Sequence, residues 1–353
     1  MSSVLAEDFE EMLTKNFPFE RFANKTFFVT GATGLVGSVF IKALLYLNQR
    51  CNLNVKIVAL IRNLKKAEDI FESDAMNDNL SFIVCELGKE DISYAGKIDY
   101  IVHGAAVTAS KQIVSDPVGT ILLAVNGTTQ ILELARNSRA RAMVYLSSME
   151  VYGQPVHNKE KTTENDLGLV DLSNVRSCYP ESKRMCECLC TAYASQYNLK
   201  VMSARLAQTF GAGILPSENR VFAQFAKSGL KKEDIILHTA GNSEGNYVYT
   251  TDVVWGILTL LLRGESGEAY NISNENSHIT IANMAKLVAH NVFKDRVRVS
   301  FDIPEDVSKM GYAPDVKMWL NNSKAKKLGW NPSVGLVESY RRMIRWMQEE
   351  RFI

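Results

Sequence analysis

The sequence predicts an α/β fold, a doubly wound parallel sheet with a smaller, discontinuous C-terminal lobe. Three observations point there. Short apolar runs at 25–30, 54–61, 81–87, 98–106, 142–148 and 199–206 read as strands buried in a parallel sheet. A glycine-rich turn, Gly31, Ala32, Thr33, Gly34, Leu35, Val36, Gly37, separates the first run from a stretch of helical periodicity at 38–47. Tyr179 and Lys183 stand four residues apart, and Ser147, Ser148, Met149 and Glu150 end a strand about thirty residues earlier.

Residues 1–23 form an N-terminal extension, in which Leu5, Phe9, Met12 and Leu13 recur at helical spacing. They predict a helix packed on the body of the protein. The strand at 25–30 then meets Gly31, Gly34 and Gly37. Glycines at a strand-to-helix turn allow a tight bend and close backbone approach to a pyrophosphate, and the helix start supplies free N–H groups and a positive dipole end. Residues 24–209 are therefore a dinucleotide-binding domain. The strand at 54–61 ends at Arg62, where NAD enzymes usually carry an acid for the ribose. A cation there suits the 2′-phosphate of NADP or stacks on adenine with NAD, and the choice stays open.

The strand at 98–106 ends in Gly104, Ala105 and Ala106, whose small side chains let the backbone come close to the cofactor. Asn126-Gly127-Thr128 leads a helix predicted over 128–137. Ser148 arrives at the end of the strand 142–148, where open α/β sheets bind ligands. A polar loop, 154–178, covers the site and leads to the Tyr179 helix. Beyond 209 the chain enters the substrate-binding lobe, 210–246 and 274–353, with 247–273 returning to the first domain. Helices are predicted over 219–226, 280–290 and 337–347.

A phenol titrates near 10, about three units too high for a base at neutral pH. An ammonium four residues on, a nicotinamide cation and the Ser148 hydroxyl would supply the shift. Tyr179 is thus the candidate base, with Lys183 and Ser148 assisting.

Six cysteines are present. Cys186, Cys188 and Cys190 alternate on one helix, so three thiolates cannot converge on one ion, and no zinc spacing is seen. Buried thiols in a reducing compartment are expected. The net charge of +1 gives no reason to expect a nucleic-acid or membrane partner. No signal peptide or membrane helix is predicted, and a cytoplasmic protein is expected.

From Asn24 to Trp346 the chain resembles the extended short-chain dehydrogenase/reductase family, in its nucleotide-sugar epimerase and dehydratase group. The motifs are TGATGLVG at 30–37, VHGAA at 102–106, NGT at 126–128, LSSMEVYG at 146–153, YPESK at 179–183, RLAQTFGAG at 205–213, YVYTTDVV at 247–254 and LGWNP at 328–332. The resemblance implies a Rossmann-type fold, a tightly bound and recycled NAD or NADP, a UDP-, dTDP-, GDP- or CDP-sugar substrate and a homodimer. It places Glu86 and Leu87 at adenine, Gln208 at the substrate diphosphate and His103 in a structural or cofactor-lining role. It also implies that Tyr179 takes the proton of the sugar C4 hydroxyl.

The fate of the 4-keto intermediate depends on Ser148, Met149 and Glu150. Glu150 occupies the position of the glutamate that removes the C5 proton in 4,6-dehydratases. Met149 replaces an Asp or Ser and has no proton to give. Decarboxylases of glucuronate nucleotides use an Arg where this chain has Gly245, unless another cation such as Arg220 substitutes. The sequence leans to a 4,6-dehydratase, with a 4-epimerase next and a decarboxylase or 4-keto-sugar reductase after it.

Overall fold

The computed structural model describes residues 2–155, 160–304 and 315–352. Residues 156–159 of the expected loop lie outside it. Helix α1 (Ser3–Leu13) precedes strand β1 (Thr26–Thr30), α2 (Leu35–Cys51), β2 (Lys56–Ile61), α3 (Leu64–Phe71), β3 (Leu80–Val84) and β4 (Tyr100–His103). Then come α4 (Ser110–Ser115), α5 (Pro117–Asn137), β5 (Ala142–Ser148), α6 (Cys178–Tyr197), β6 (Val201–Leu206) and β7 (Gln208–Phe210). The chain continues through α7 (Val221–Lys231), β8 (Ile235–Leu237), β9 (Glu244–Tyr249), α8 (Thr250–Arg263) and β10 (Ala269–Ile272). It ends with β11 (Asn274–Thr280), α9 (Ile281–Leu287), β12 (Val299–Phe301), α10 (Ser323–Lys327) and α11 (Leu336–Glu349).

Seven strands form a parallel sheet in the order β10-β6-β5-β4-β1-β2-β3. The chain winds one way from β1 to β3 and the other way from β4, so a crevice opens between the ends of β1 and β4. All five β1 residues are buried, which is why this strand reads as a continuous apolar run. Thr30 and His103 are register partners at the crevice. The rest of the fold is a three-stranded sheet, β11-β9-β7, and a two-stranded one, β12-β8.

Among the boundaries that differ from the sequence expectation, three bear on the site. Helix α5 starts at Pro117, eleven residues before Thr128. Asp116 caps it by accepting from Gly119 N–H at 3.0 Å, and Pro117 is preorganised for the first turn. Asn126-Gly127-Thr128 is therefore mid-helix, with Gly127 packed against Leu87. Helix α2 begins at Leu35, so Leu35 and Val36 belong to it. The return to the main sheet begins at Thr250 and not at Tyr247. Tyr247 pairs with Gln208 and Asn274 in the small sheet. Helix α5 is long and apolar enough to cross a bilayer by composition, yet it lies on α6 with Ile131, Leu132 and Ala135 buried.

The N-terminal helix is tied in by charge as well as by Leu5 and Phe9. Asp8 is 2 % exposed and accepts from Tyr249 Oη at 2.6 Å and from Arg342 Nη1 at 2.8 Å. Burial pushes its carboxyl up to about 6, against the pull of Tyr249 and Arg342. The raised folded-state value means that Asp8 stabilises the fold fully below pH ~4 and that this contribution is lost as pH rises through about 6. Asp8→Asn, which removes the charge and leaves one oxygen to accept, is expected to flatten the pH dependence of stability between pH ~4 and ~7. The effect is on the order of 2–3 kcal/mol. Urea titrations across that range check it; parallel curves for the two proteins would rule it out.

Candidate active site

Two turns close the crevice. Gly31 has φ +67°, and a Cβ there would lie 2.5 Å from the Gly104 carbonyl carbon, so the β1 and β4 turns touch backbone to backbone. Thr30 and His103 hold the turns in place. Thr30 Oγ1 accepts from the N–H groups of Gly104 and Ala105, each at 3.2 Å, so its own proton goes to His103 Nδ1 at 2.6 Å. His103 Nε2 then donates to Thr128 Oγ1 at 3.1 Å. Burial drives the imidazole pKa down to about 3, and His103 stays neutral and structural.

Gly34 behaves differently from Gly31. It caps α2, and a Cβ on it would meet only the Gly31 carbonyl oxygen, at 3.2 Å. The space above Gly34 and the free N–H groups of Leu35 and Val36 fits a pyrophosphate. Thr33 borders the same space, half-exposed. Gly37 faces inward, where any Cβ would collide with Gly31. Beyond the end of β3, where the resemblance expects adenine, Leu87 is buried against Gly127, while Glu86 is exposed and paired with Lys89 at 2.7 Å. Arg62 is exposed at the end of β2, close enough to act on Lys89. Ala105 and Ala106 continue the crevice, half-buried.

Strand β5 and helix α6 bring the chemistry together. Tyr179, in the first turn of α6, is 8 % exposed, and the Ser148 hydroxyl hydrogen-bonds its phenol. Burial first, then the Glu150 charge, push the phenol up to about 12, while Ser148, Arg176 and Arg220 pull it down. Lys183 Nζ donates to Leu146 O at 2.7 Å and lies 5.8 Å from the Tyr179 ring centroid. Burial lowers the amine to about 8. The ammonium thus sits behind the phenol instead of on its oxygen.

Glu150 is not a free carboxylate. Arg176 clamps it, donating from Nη1 to Oε2 at 2.6 Å and from Nη2 to Oε1 at 3.2 Å. Arg176 lies three residues before Tyr179, in a turn whose cap, Asn174, accepts from its N–H at 2.9 Å. The sequence signal was there, since a residue so close to the N-terminus of α6 must end near the base, but the stretch read only as polar loop.

Met149 is buried and points at Gly245, where a Cβ would stand 3.4 Å from its Cε. The missing side chain at 245 makes room for the thioether. As its thioether implies, Met149 offers no proton, and the pair makes an apolar wall beside Ser148. Gln208 is half-exposed on β7, beside Tyr247. Arg220 caps α7, held by Glu218 at 2.6 Å and resting over the Phe222 ring at 4.8 Å. It is exposed and paired with Glu218, and Arg176 acts on the Tyr179 phenol more strongly than it does. Of the alternating thiols on α6, Cys186 and Cys190 are buried and Cys188 is exposed.

Residues 27–273 match the model of the NAD dependent epimerase/dehydratase family. UDP-glucuronic acid decarboxylase 6 of Arabidopsis thaliana is 30 % identical over 324 residues, covering 90 % of this chain and 87 % of that protein. Two further decarboxylases of the same kind are longer, and the chain spans 58 % and 55 % of their length. Among solved structures, UDP-glucose 4-epimerase from Thermotoga maritima superposes with a TM-score of 0.74 at 21 % identity, covering 92 % of this chain and 99 % of that one. dTDP-glucose 4,6-dehydratase from Bacillus anthracis gives a TM-score of 0.70 at 21 % identity, covering 93 % and 97 %. The structural likeness carries the fold.

The geometry at Gly34 yields a direct test. Gly34→Val is expected to fold, because the protein itself leaves room for most of the side chain, and to lose NAD binding by more than about a hundredfold. Calorimetric titration of the folded variant checks this; retained affinity would place the dinucleotide elsewhere.

Proposed function

The chain belongs to the NAD-dependent epimerase/dehydratase family, and we propose that within it this enzyme decarboxylates a UDP-linked hexuronic acid through a 4-keto sugar. It is an NAD-dependent enzyme that modifies nucleotide sugars. The observation that carries the finer reading is the Arg176–Glu150 fork beside Tyr179.

When bound, NAD supplies reversible hydride exchange at the sugar C4, and its oxidised ring a positive charge beside the base. Tyr179, ionised under that charge with help from Ser148 and Arg176, takes the C4 hydroxyl proton. The ketone at C4 lies β to the C6 carboxylate, so the C5–C6 bond can break with its electron pair moving to the C4 oxygen. Ser148 and the protonated Tyr179 donate to that oxygen as charge develops. Carbon dioxide leaves, C5 takes a proton from water, and Tyr179 returns its proton to the C4 oxygen as the ketone is reduced. The cycle is redox-neutral.

Arg176 suits the C6 carboxylate. Two of its five N–H donors hold Glu150 and three remain for a second anion. Two carboxylates then share one guanidinium, and that crowding is relieved when carbon dioxide departs. The Met149–Gly245 wall excludes water from the same place, which disfavours the substrate carboxylate and favours its neutral product. The 4,6-dehydratase reading asks more of these residues. It needs Glu150 as a free C5 base, yet Arg176 occupies the carboxylate, and it needs a proton donor for the C6 hydroxyl where Met149 stands.

The test incubates the enzyme and NAD separately with UDP-glucuronic acid and UDP-glucose, read by mass spectrometry. Loss of carbon dioxide from the first and no loss of water from the second is expected. Arg176→Ala should lower kcat/KM for the acid about tenfold to a hundredfold, the worth of a charge-assisted contact. Dehydration of UDP-glucose that disappears in Glu150→Gln, together with solvent deuterium at C5, would replace decarboxylation with the dehydratase reading. A mass-neutral isomer would instead identify a 4-epimerase.

We further propose that Arg62 decides the cofactor form. It carries a free positive end beside the Glu86–Lys89 pair. If it reads a 2′-phosphate, Arg62→Ala will weaken NADP binding about tenfold to a hundredfold and NAD binding much less. Equal losses would leave adenine stacking and an enzyme indifferent to the phosphate.

A further inference from the structure

Tyr179, Lys183 and Glu187 stand four residues apart and form one stripe on α6. The first two have roles in the reaction and the third has none assigned. Its carboxylate is a hub. It accepts from Ser147 Oγ at 2.5 Å, from Arg205 Nε at 3.0 and 3.1 Å and from Arg205 Nη2 at 2.7 Å. Ser147 directly precedes Ser148 on β5, and Arg205 is its register partner on β6. Arg205 goes on to donate to Tyr152 Oη at 3.1 Å and to Glu164 O at 2.7 Å. Lys183 meanwhile holds Leu146 O, one residue further back on β5. The helix that carries the base and the strand that carries its hydroxyl partner are thus joined by two adjacent polar contacts. One of them is Glu187.

We propose that Glu187 is a positioning residue of the C4-oxidation step, fixing Ser148 against Tyr179 and supplying an anion that keeps the Lys183 amine protonated. The proposal rests on C4 oxidation alone and is indifferent to what later leaves C5. The groups facing Lys183 are the Tyr145 ring at 4.7 Å, neutral His103, Tyr179, Cys186, Cys190, Glu187 and, from the turn after β5, Glu150. The cysteines raise the amine only as thiolates, and burial pushes the Cys190 thiol up. At neutral pH the anions that favour a charged Lys183 are the two carboxylates. Each is paired with an arginine, Glu150 with Arg176 and Glu187 with Arg205, and Glu187, on the lysine's own stripe, acts on it more strongly than Glu150.

Glu187→Gln, Glu187→Asp and Ser147→Ala test this with two readouts. The first is kcat and KM for product formation, read beside the transient reduced-nicotinamide absorbance of a single turnover, with UDP-glucuronic acid and, separately, UDP-glucose. The second is the NMR titration of Lys183 in the NAD-bound protein, assigned with Lys183→Arg, which needs no sugar. In Glu187→Gln, kcat is expected to fall about tenfold to a hundredfold with little change in KM. Lys183 should then titrate about one unit lower. Glu187→Asp restores the titration and only part of kcat, because its shorter arm cannot reach Ser147 and Arg205 together. Ser147→Ala lowers kcat without moving Lys183. A folded Glu187→Gln protein with unchanged Lys183 titration and unchanged kcat overturns the proposal. If that variant does not fold, wild-type kcat in both Glu187→Asp and Ser147→Ala overturns it.

Discussion

Burial acts on Tyr179 and Lys183 in opposite directions, and much of the surrounding structure counters it. Taking the phenol out of water pushes it up to about 12, and the same desolvation brings the amine down to about 8. At neutral pH the phenol would rest protonated and inert, while the amine stays mostly charged. The elements around the pair contribute what the low-dielectric interior removes. Helix α6 presents its positive N-terminal end to Tyr179. Ser148 donates a hydrogen bond, and Arg176 and Arg220 add positive charge from the two lobes. A further positive charge placed beside the phenol would lower it in the same way.

The sugar end of the site shows how one change depends on another. Met149 fits because residue 245 has no side chain, and Arg176 reaches Glu150 from the loop that leads into α6. The Arg176–Glu150 pair and the Met149–Gly245 contact thus give the surroundings of Ser148 one charged face and one apolar face.

Farther out, helix α1 joins α2, β9 and α11. Helix α1 reaches α2 through Glu10, which accepts from Tyr46 Oη at 2.5 Å, and reaches α11 through Asp8 and Arg342. The same Asp8 holds Tyr249 at the end of β9, the strand that carries Gly245. A buried acid in the extension thus bears on the strand lining the sugar pocket, and the sequence showed only the apolar periodicity of this helix.

The amino-acid sequence determined what local geometry can encode. Gly31, Gly34 and Gly37 in a strand-to-helix turn, and Tyr179 and Lys183 at helical spacing, are short-range patterns, and the parallel sheet is legible in its runs of buried residues. Asp116-Pro117 was an equally local signal for the start of α5, overshadowed by the more familiar Asn126-Gly127-Thr128. The tertiary structure alone decided the pairings that carry no spacing. Glu150 meets Arg176 across 26 residues, Ser147 meets Glu187 across 40, and Asp8 meets Tyr249 across 241. Met149 faces Gly245 only because the turn after β5 packs beside β9. Such contacts depend on how sheets and helices stack, and burial then sets the charge state of each group. A side chain's type is written in the sequence, but its partner and its proton are fixed only when water has been excluded around it.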